Sequence, residues 1–227
     1  MRERVKSYLP IVFSILFMGL STVSCSKDDD ETPSVETPSG NENTNKQEAI
    51  DLGLPSGTKW ASCNVGANEP EGYGGYYAWG ETEEKGFYNE STYKYKQNGS
   101  WVGLGSDISG TQYDVARLKW GGNWRMPTKD EVRELIENCK YEWTTLNGVK
   151  GGKFTSKTNG NSIFLPAAGY RLDGALGDAG SWGYYWSSTQ DEYYSNGAYG
   201  LGSGSGASPW VSFNREVGRS VRPVIGN

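Results

Sequence analysis

The chain has no histidine among its 227 residues. That absence removes Ser-His-Asp and Cys-His nucleophile pairs, and every histidine-bearing zinc site. Cysteine is scarce too, with three residues, Cys25, Cys63 and Cys139. Charge is mildly acidic, 22 Lys and Arg against 27 Asp and Glu for a net −5. No basic patch or stripe appears, which argues against nucleic acid as a partner. The apolar run Tyr8 to Leu20 is too short to span a bilayer. Leu and Ile are few, whereas aromatics are plentiful: 9 Trp, 15 Tyr and 6 Phe.

The N-terminus reads as a processing signal. Arg2, Arg4 and Lys6 give a basic start, and Ser21, Thr22 and Ser24 lead from the apolar run to Cys25. A plain secretory signal needs no cysteine there, but a bacterial lipoprotein signal does, because the thiol is acylated. Residues 1–24 are therefore expected to be a lipoprotein signal peptide, with Cys25 as the lipidation site and the membrane contacted through this anchor only. Residues 25–47 are rich in Pro, Ser, Thr, Asn and acids, with almost nothing to bury, and are expected to be a lipidated disordered tether. The run Ser26-Lys27-Asp28-Asp29-Asp30 resembles the surface-export signal of Bacteroidetes lipoproteins. It implies an outer-membrane lipoprotein facing the cell exterior, a periplasm-facing anchor being the alternative.

Residues 48–227 are long enough for one domain with a real core. Short β-like runs are expected at 49–52, 58–65 and 76–79, followed by a polar, aperiodic loop over 81–111. Helices are expected over 113–120, capped by Thr111 or Asp114, and from Lys129 to about Asn138. Further strands are expected at 153–157, 162–165, 184–187, 198–201, 210–213 and 220–224. Two helices bounded by short strands suggest an α+β architecture. Trp60, Trp79, Trp124, Trp143, Phe164 and Tyr185 are assigned to the core.

The most specified stretch is Trp120–Glu131, WGGNWRMPTKDE. Gly121 and Gly122 can end the first helix. Pro127 keeps Met126 extended. Thr128 and Glu131 form an S/T-x-x-E capping box before the apolar stripe Val132, Leu135, Ile136, Cys139. WRMPTKDE resembles the R-L-P-T-x-x-E corner of C-type-lectin-like proteins related to sulfatase-modifying factors. With DLGLPSGTKWASCNVGA (51–67), YYAWGET (76–82), SIFLPAAGYR (162–171), GYYWSST (183–189) and GRSVRPV (218–224), the chain resembles the Fibrobacter succinogenes major domain of Bacteroidetes lipoproteins. The resemblance runs from about residue 50 to the C-terminus. It implies a C-type-lectin-like fold with two helices, several short antiparallel strands, and pairing of the first and last strands. It implies a fold more than an activity.

The borrowed chemistries do not carry over. The copper-linked cysteine pair of the sulfatase-modifying enzymes is not matched. Calcium-dependent lectins carry E-P-N or Q-P-D and W-N-D motifs, and Asn68-Glu69-Pro70 has similar residues in the wrong order and region. No cofactor and no metal site are expected. Carboxylates at Glu81, Glu83, Glu84, Asp191 and Glu192 are the remaining acid–base candidates, without a sign of the paired spacing that hydrolysis needs. Cys63 and Cys139 are either a disulfide, worth on the order of 4 kcal/mol in the chain-entropy account, or two buried thiols.

The stretch from Ser187 to Arg219 is dense in Gly, Ser and Asn and carries tyrosines, the composition of adaptable recognition surfaces. In lectin-like folds the segment before the final strand faces the ligand. Trp182, Tyr193, Tyr194, Asn196, Trp210, Asn214 and Arg215 are therefore the candidate contacts for a glycan or protein ligand, with no catalysis. A structural or accessory subunit of a surface assembly is the second expectation, and a carboxylate-based glycan hydrolase the third.

Overall fold

The computed structural model describes residues 47–226. The expected signal peptide, Cys25 and the tether apart from Gln47 lie outside the described residues. Fourteen strands and two helices follow one another: β1 Ala49–Ile50, β2 Lys59–Ala61, β3 Lys96–Gln97, β4 Ser100–Trp101, α1 Val115–Trp120, β5 Trp124–Arg125 and α2 Lys129–Asn138. After α2 come β6 Cys139–Leu146, β7 Val149–Ser156, β8 Ser162–Pro166, β9 Tyr170–Leu172, β10 Ala175–Gly177, β11 Trp182–Gln190, β12 Gly197–Gly204, β13 Trp210–Asn214 and β14 Val224–Ile225.

This corrects the α+β, C-type-lectin-like expectation. Strand takes 38% of the described chain and helix only 9%, arranged as five small antiparallel sheets, so the domain is mostly β. The difference lies chiefly after α2, where Cys139–Leu146 forms a strand in addition to those expected. That segment alternates Cys139, Tyr141 and Trp143 with Lys140, Glu142 and Thr144, a period of two. It continues through Asn147-Gly148 into β7. Both turn residues have positive φ, 47° and 85°, as a two-residue hairpin with the strands' own twist requires. The same Asn-Gly device, at Asn98 and Gly99, closes β3 on β4. Trp143, expected in the core, is only half-buried on this hairpin.

The first and last strands share a sheet of order β1-β2-β14-β5, but β2 stands between β1 and β14. The expected strand at 76–79 is a single bridge, Tyr77 to Arg219, and of 220–224 only Val224 lies in a strand. Helix α1 starts two residues later than expected, at Val115, behind an Asp114 cap. The Asp114 carboxylate also accepts the N–H groups of Gly110 at 2.8 Å and Met126 at 2.9 Å, so one buried side chain ties the loop, the helix and the corner.

The capping box is present as expected: the Thr128 side chain accepts from the Glu131 N–H, and Glu131 accepts from the Thr128 N–H. Glu131 does more than cap. Its two carboxylate oxygens take both Arg125 guanidinium nitrogens at 2.6 and 2.7 Å, and the Thr58 hydroxyl donates at 2.7 Å. Helix α2 is thereby fastened to β5 and to the segment leading into β2.

Two cores lie on either side of β11. Tyr185 points into the first, with Trp60, Val132, Leu135, Cys139, Phe154, Leu165 and Leu201 beneath α2. Trp186 points into the second, with Trp79, Ile108, Val115, Met126 and Val221. The 81–111 loop packs a third cluster, its Tyr88 and Tyr93 against Tyr76 and Ala78, with Tyr95 and Trp101 alongside. The loop is aperiodic because its rings are spaced by turns, yet it is packed.

Burial works to raise the Glu131 carboxyl, but the Arg125 fork, the Thr128 N–H and the Thr58 hydroxyl outweigh it and hold the group below its usual value of 4.5. A depressed carboxyl stabilises the fold above its unfolded pKa and ceases to do so as pH falls through the folded one. Glu131→Gln is therefore expected to cost about 2–3 kcal/mol at pH 7. The gap to wild type should narrow below about pH 4.5, read by urea unfolding between pH 3 and 7.

Candidate functional site

Strand β12 reads GAYGLGSG, and three of its glycines, Gly200, Gly202 and Gly204, fall on alternate positions. Register places Gly204 opposite Trp182, Gly202 opposite Tyr184 and Gly200 opposite Trp186, all on one face of the β11-β12-β13 sheet. With no side chain rising from these positions, rings of the neighbouring strands close in over β12. The indole of Trp182 covers Gly204, three of its carbons standing 2.7–2.8 Å from where a Cβ would be. Phe213 of β13 approaches Gly200 by its ring edge instead, two carbons standing 2.9–3.1 Å from the Cβ position. Above Gly202 the nearest atoms, of Pro209 and Trp182, are 3.7–3.8 Å from the Cβ position, an ordinary contact distance.

Trp182 and Tyr184 are nearly parallel, 11° apart with centroids at 6.0 Å. Tyr170 of β9 meets Tyr184 edge-on at 5.7 Å, and Phe213 meets it edge-on at 5.6 Å. The Tyr184 hydroxyl donates to Asp178 at 2.8 Å, and burial together with that carboxylate pushes the phenol up to about 12. The Arg219 guanidinium lies 4.3 Å from the Phe213 centroid and 4.9 Å from Trp186.

The opposite face of this sheet carries Tyr199, Leu201 and Trp210. Trp210 meets Tyr199 edge-on at 5.5 Å, and Lys129 places its ammonium 4.4 Å above the Tyr199 ring. Between β11 and β12, the tip residues are held by Asp191, whose carboxylate accepts the N–H groups of Tyr193 at 2.8 Å and Tyr194 at 3.3 Å. Burial works to raise the Asp191 carboxyl, but the Ser212 hydroxyl and these two donors outweigh it and hold it below the usual range. The tip is therefore rigid at its base while its rings are free: Tyr193 is 80% exposed and Tyr194 66%.

The seven candidate contacts thus separate. Tyr193, Tyr194 and Asn196 share the tip, and Asn214 stands beside them, paired with Gly197. Trp210, 44% exposed, is on the Tyr199 face and Trp182 on the glycine face. Arg215 leaves the group altogether, since it is fully buried. It donates to the Tyr93 hydroxyl at 3.0 Å, the Ser195 carbonyl at 2.9 Å and the Val102 carbonyl at 3.1 Å, with Trp79 4.7 Å from its guanidinium. Its role is to position the tip from below and to close the 81–111 loop over the sheet. Tyr170, Tyr184 and Phe213 were missed as candidates. The signal available for them was the alternation of Trp182, Tyr184 and Trp186 against a strand with glycine at every second residue.

The carboxylates weighed for acid–base work are engaged elsewhere. Glu81 pairs with Lys85 at 2.7 Å and accepts the Lys94 N–H, Glu83 pairs with Lys119, and Glu84 accepts the Tyr76 N–H. Glu192 pairs with Lys129 at 3.4 Å. Among the described residues no three His, Cys, Asp or Glu side chains gather as a metal would need, and no helix is long and apolar enough to cross a membrane. Two clefts, of about 370 Å³ beside Cys63 and Trp120 and about 430 Å³ beside Ile163 and Phe164, are lined by none of the candidate contacts. Cys63 and Cys139 are separate, buried free thiols rather than a bridge. Cys63 donates to the Ala67 carbonyl at 3.2 Å and Cys139 lies in the core beneath α2. Comparison with known proteins finds no matching family model, no matching curated protein and no matching solved structure.

Arg215→Lys keeps the charge but cannot span three acceptors with one ammonium, and is expected to cost about 2–3 kcal/mol in urea unfolding. Alkylation of the denatured, unreduced chain should label both Cys63 and Cys139. A linked pair of peptides in the digest would contradict the free thiols.

Proposed function

We propose that this is a surface-exposed lipoprotein of the Fibrobacter succinogenes major domain type, whose domain recognises a glycan or protein ligand without transforming it. The observation that supports it is the β11-β12-β13 sheet, which carries solvent-facing rings on a stiff backbone. An aromatic ring offers large contact area for little lost freedom, and the more so where its backbone is already fixed. The carboxylates that hydrolysis would need are spent on ion pairs and backbone donors, so they are not poised as a convergent acid–base pair. Anchoring at Cys25, on the outer face of the outer membrane, belongs to the same proposal.

The test is a screen of immobilised glycans and extracellular-matrix proteins with wild type and with a Tyr193→Ala/Tyr194→Ala/Trp210→Ala triple variant. All three side chains are exposed, so melting is expected to move by under 3 °C. A tenfold or greater change in retention of any ligand would support recognition by this sheet. Turnover of a retained glycan would overturn the non-catalytic reading.

A further inference from the structure

The glycine face of the sheet has features that the tip and the Tyr199 face lack. Trp182 lies face-down on Gly204 and half-exposed, so its outer face is presented much as a flat tile is. Tyr184 runs parallel to it, and Tyr170 and Phe213 stand edge-on to Tyr184 as walls. A tile of this kind suits a flat ligand with an apolar face, and the C–H face of a pyranose with equatorial hydroxyls is one.

The groups around the rings narrow the choice. The exposed Asp178 carboxylate supplies acceptors, while Arg219, against Phe213 and Trp186, and the nearby Glu216 place one charge of each sign beside the rings. Arg219 and Glu216 are each more than nine-tenths buried, and the buried Arg219 Nε and one buried Glu216 oxygen have no hydrogen-bond partner among the described residues. Two carboxylates disfavour an anionic ligand, and the neighbouring guanidinium disfavours a cationic one. A neutral ligand whose groups both donate and accept matches this mixture, and hydroxyls do both.

Resting on the recognition reading above, we infer that the Trp182–Tyr184 face is a subsite for a neutral, β-linked chain of hexopyranoses, distinct from the Tyr193–Tyr194 tip. Trp182 and Tyr184 stack on sugar faces, while Tyr170 and Phe213 fix the direction in which the chain crosses the sheet.

The experiment is affinity electrophoresis of the full chain in a sugar-free non-ionic detergent, through gels containing hydroxyethylcellulose or, separately, polygalacturonate. Wild type should be retarded by the neutral polymer and not by the anionic one. Trp182→Ala should weaken retardation at least tenfold with melting nearly unchanged. Gly204→Ala, whose methyl would displace the indole without removing it, should do the same. Tyr193→Ala/Tyr194→Ala, at the tip and outside this face, should stay within threefold of wild type. Retardation that survives both Trp182→Ala and Gly204→Ala, or that is lost only with the tip tyrosines, overturns the subsite while leaving recognition by the sheet in place. Retardation by polygalacturonate alone overturns the neutral-sugar assignment. Absence of retardation by either polymer also overturns the subsite, and the broader screen then decides separately whether the sheet recognises anything.

Discussion

Most of the domain hangs on one strand-like thread, residues 215–225, which runs between the sheets and is held mainly through buried arginines. Arg222 is fully buried and donates to Asn64, to the carbonyls of Ala61 and Ser62, and to the carbonyl of Phe164. It joins the segment after β2 to β8, and burial pushes its guanidinium down to about 10. Arg215 does the same for the 81–111 loop and the β11–β12 tip. Neither has a carboxylate partner among the described residues. Neutral carbonyls and hydroxyls satisfy a guanidinium's fixed fork of donors without burying a second charge, which avoids part of the desolvation that a buried ion pair incurs. Between the arginines the backbone itself bridges to Tyr77, Arg171, Tyr184, Trp186 and Val65.

That arrangement explains how a chain with few Leu and Ile holds together. The sheets are small, and none buries enough alone. Large rings fill the spaces between them, and the thread supplies the hydrogen bonds that the sheet edges lack. Glycine serves the same end on β12. Alternate glycines let Trp182 lie flat and Phe213 close in by its edge, where an ordinary strand would raise a row of side chains.

Local signals were legible where one residue type has one physical use. The Thr128–Glu131 box, the Gly121 stop with its φ of 68°, and the apolar stripe of α2 all stand as expected. The Asn147-Gly148 turn is equally plain in the chain, and the β6–β7 hairpin that it closes adds strand that makes the domain mostly β rather than α+β. The candidate contacts were legible by composition only. Composition finds exposed rings such as Tyr193 and Tyr194, but it cannot say which face of a strand a ring occupies until the register is known. Arg215 shows the limit most sharply: a polar residue beside an Asn-rich loop looks like a contact, and only its surroundings reveal a buried clasp.

The sequence by itself determined the caps, the turns, the alternation of β11 and β12, and the absence of histidine chemistry, because each depends on neighbours within a few residues. Tertiary structure alone decided which rings face solvent, that Cys63 and Cys139 stay apart, and that three C-terminal arginines point inward. Those outcomes depend on partners as far as 161 positions away, as in the Arg222 bond to Ala61, and no local pattern encodes such a pairing.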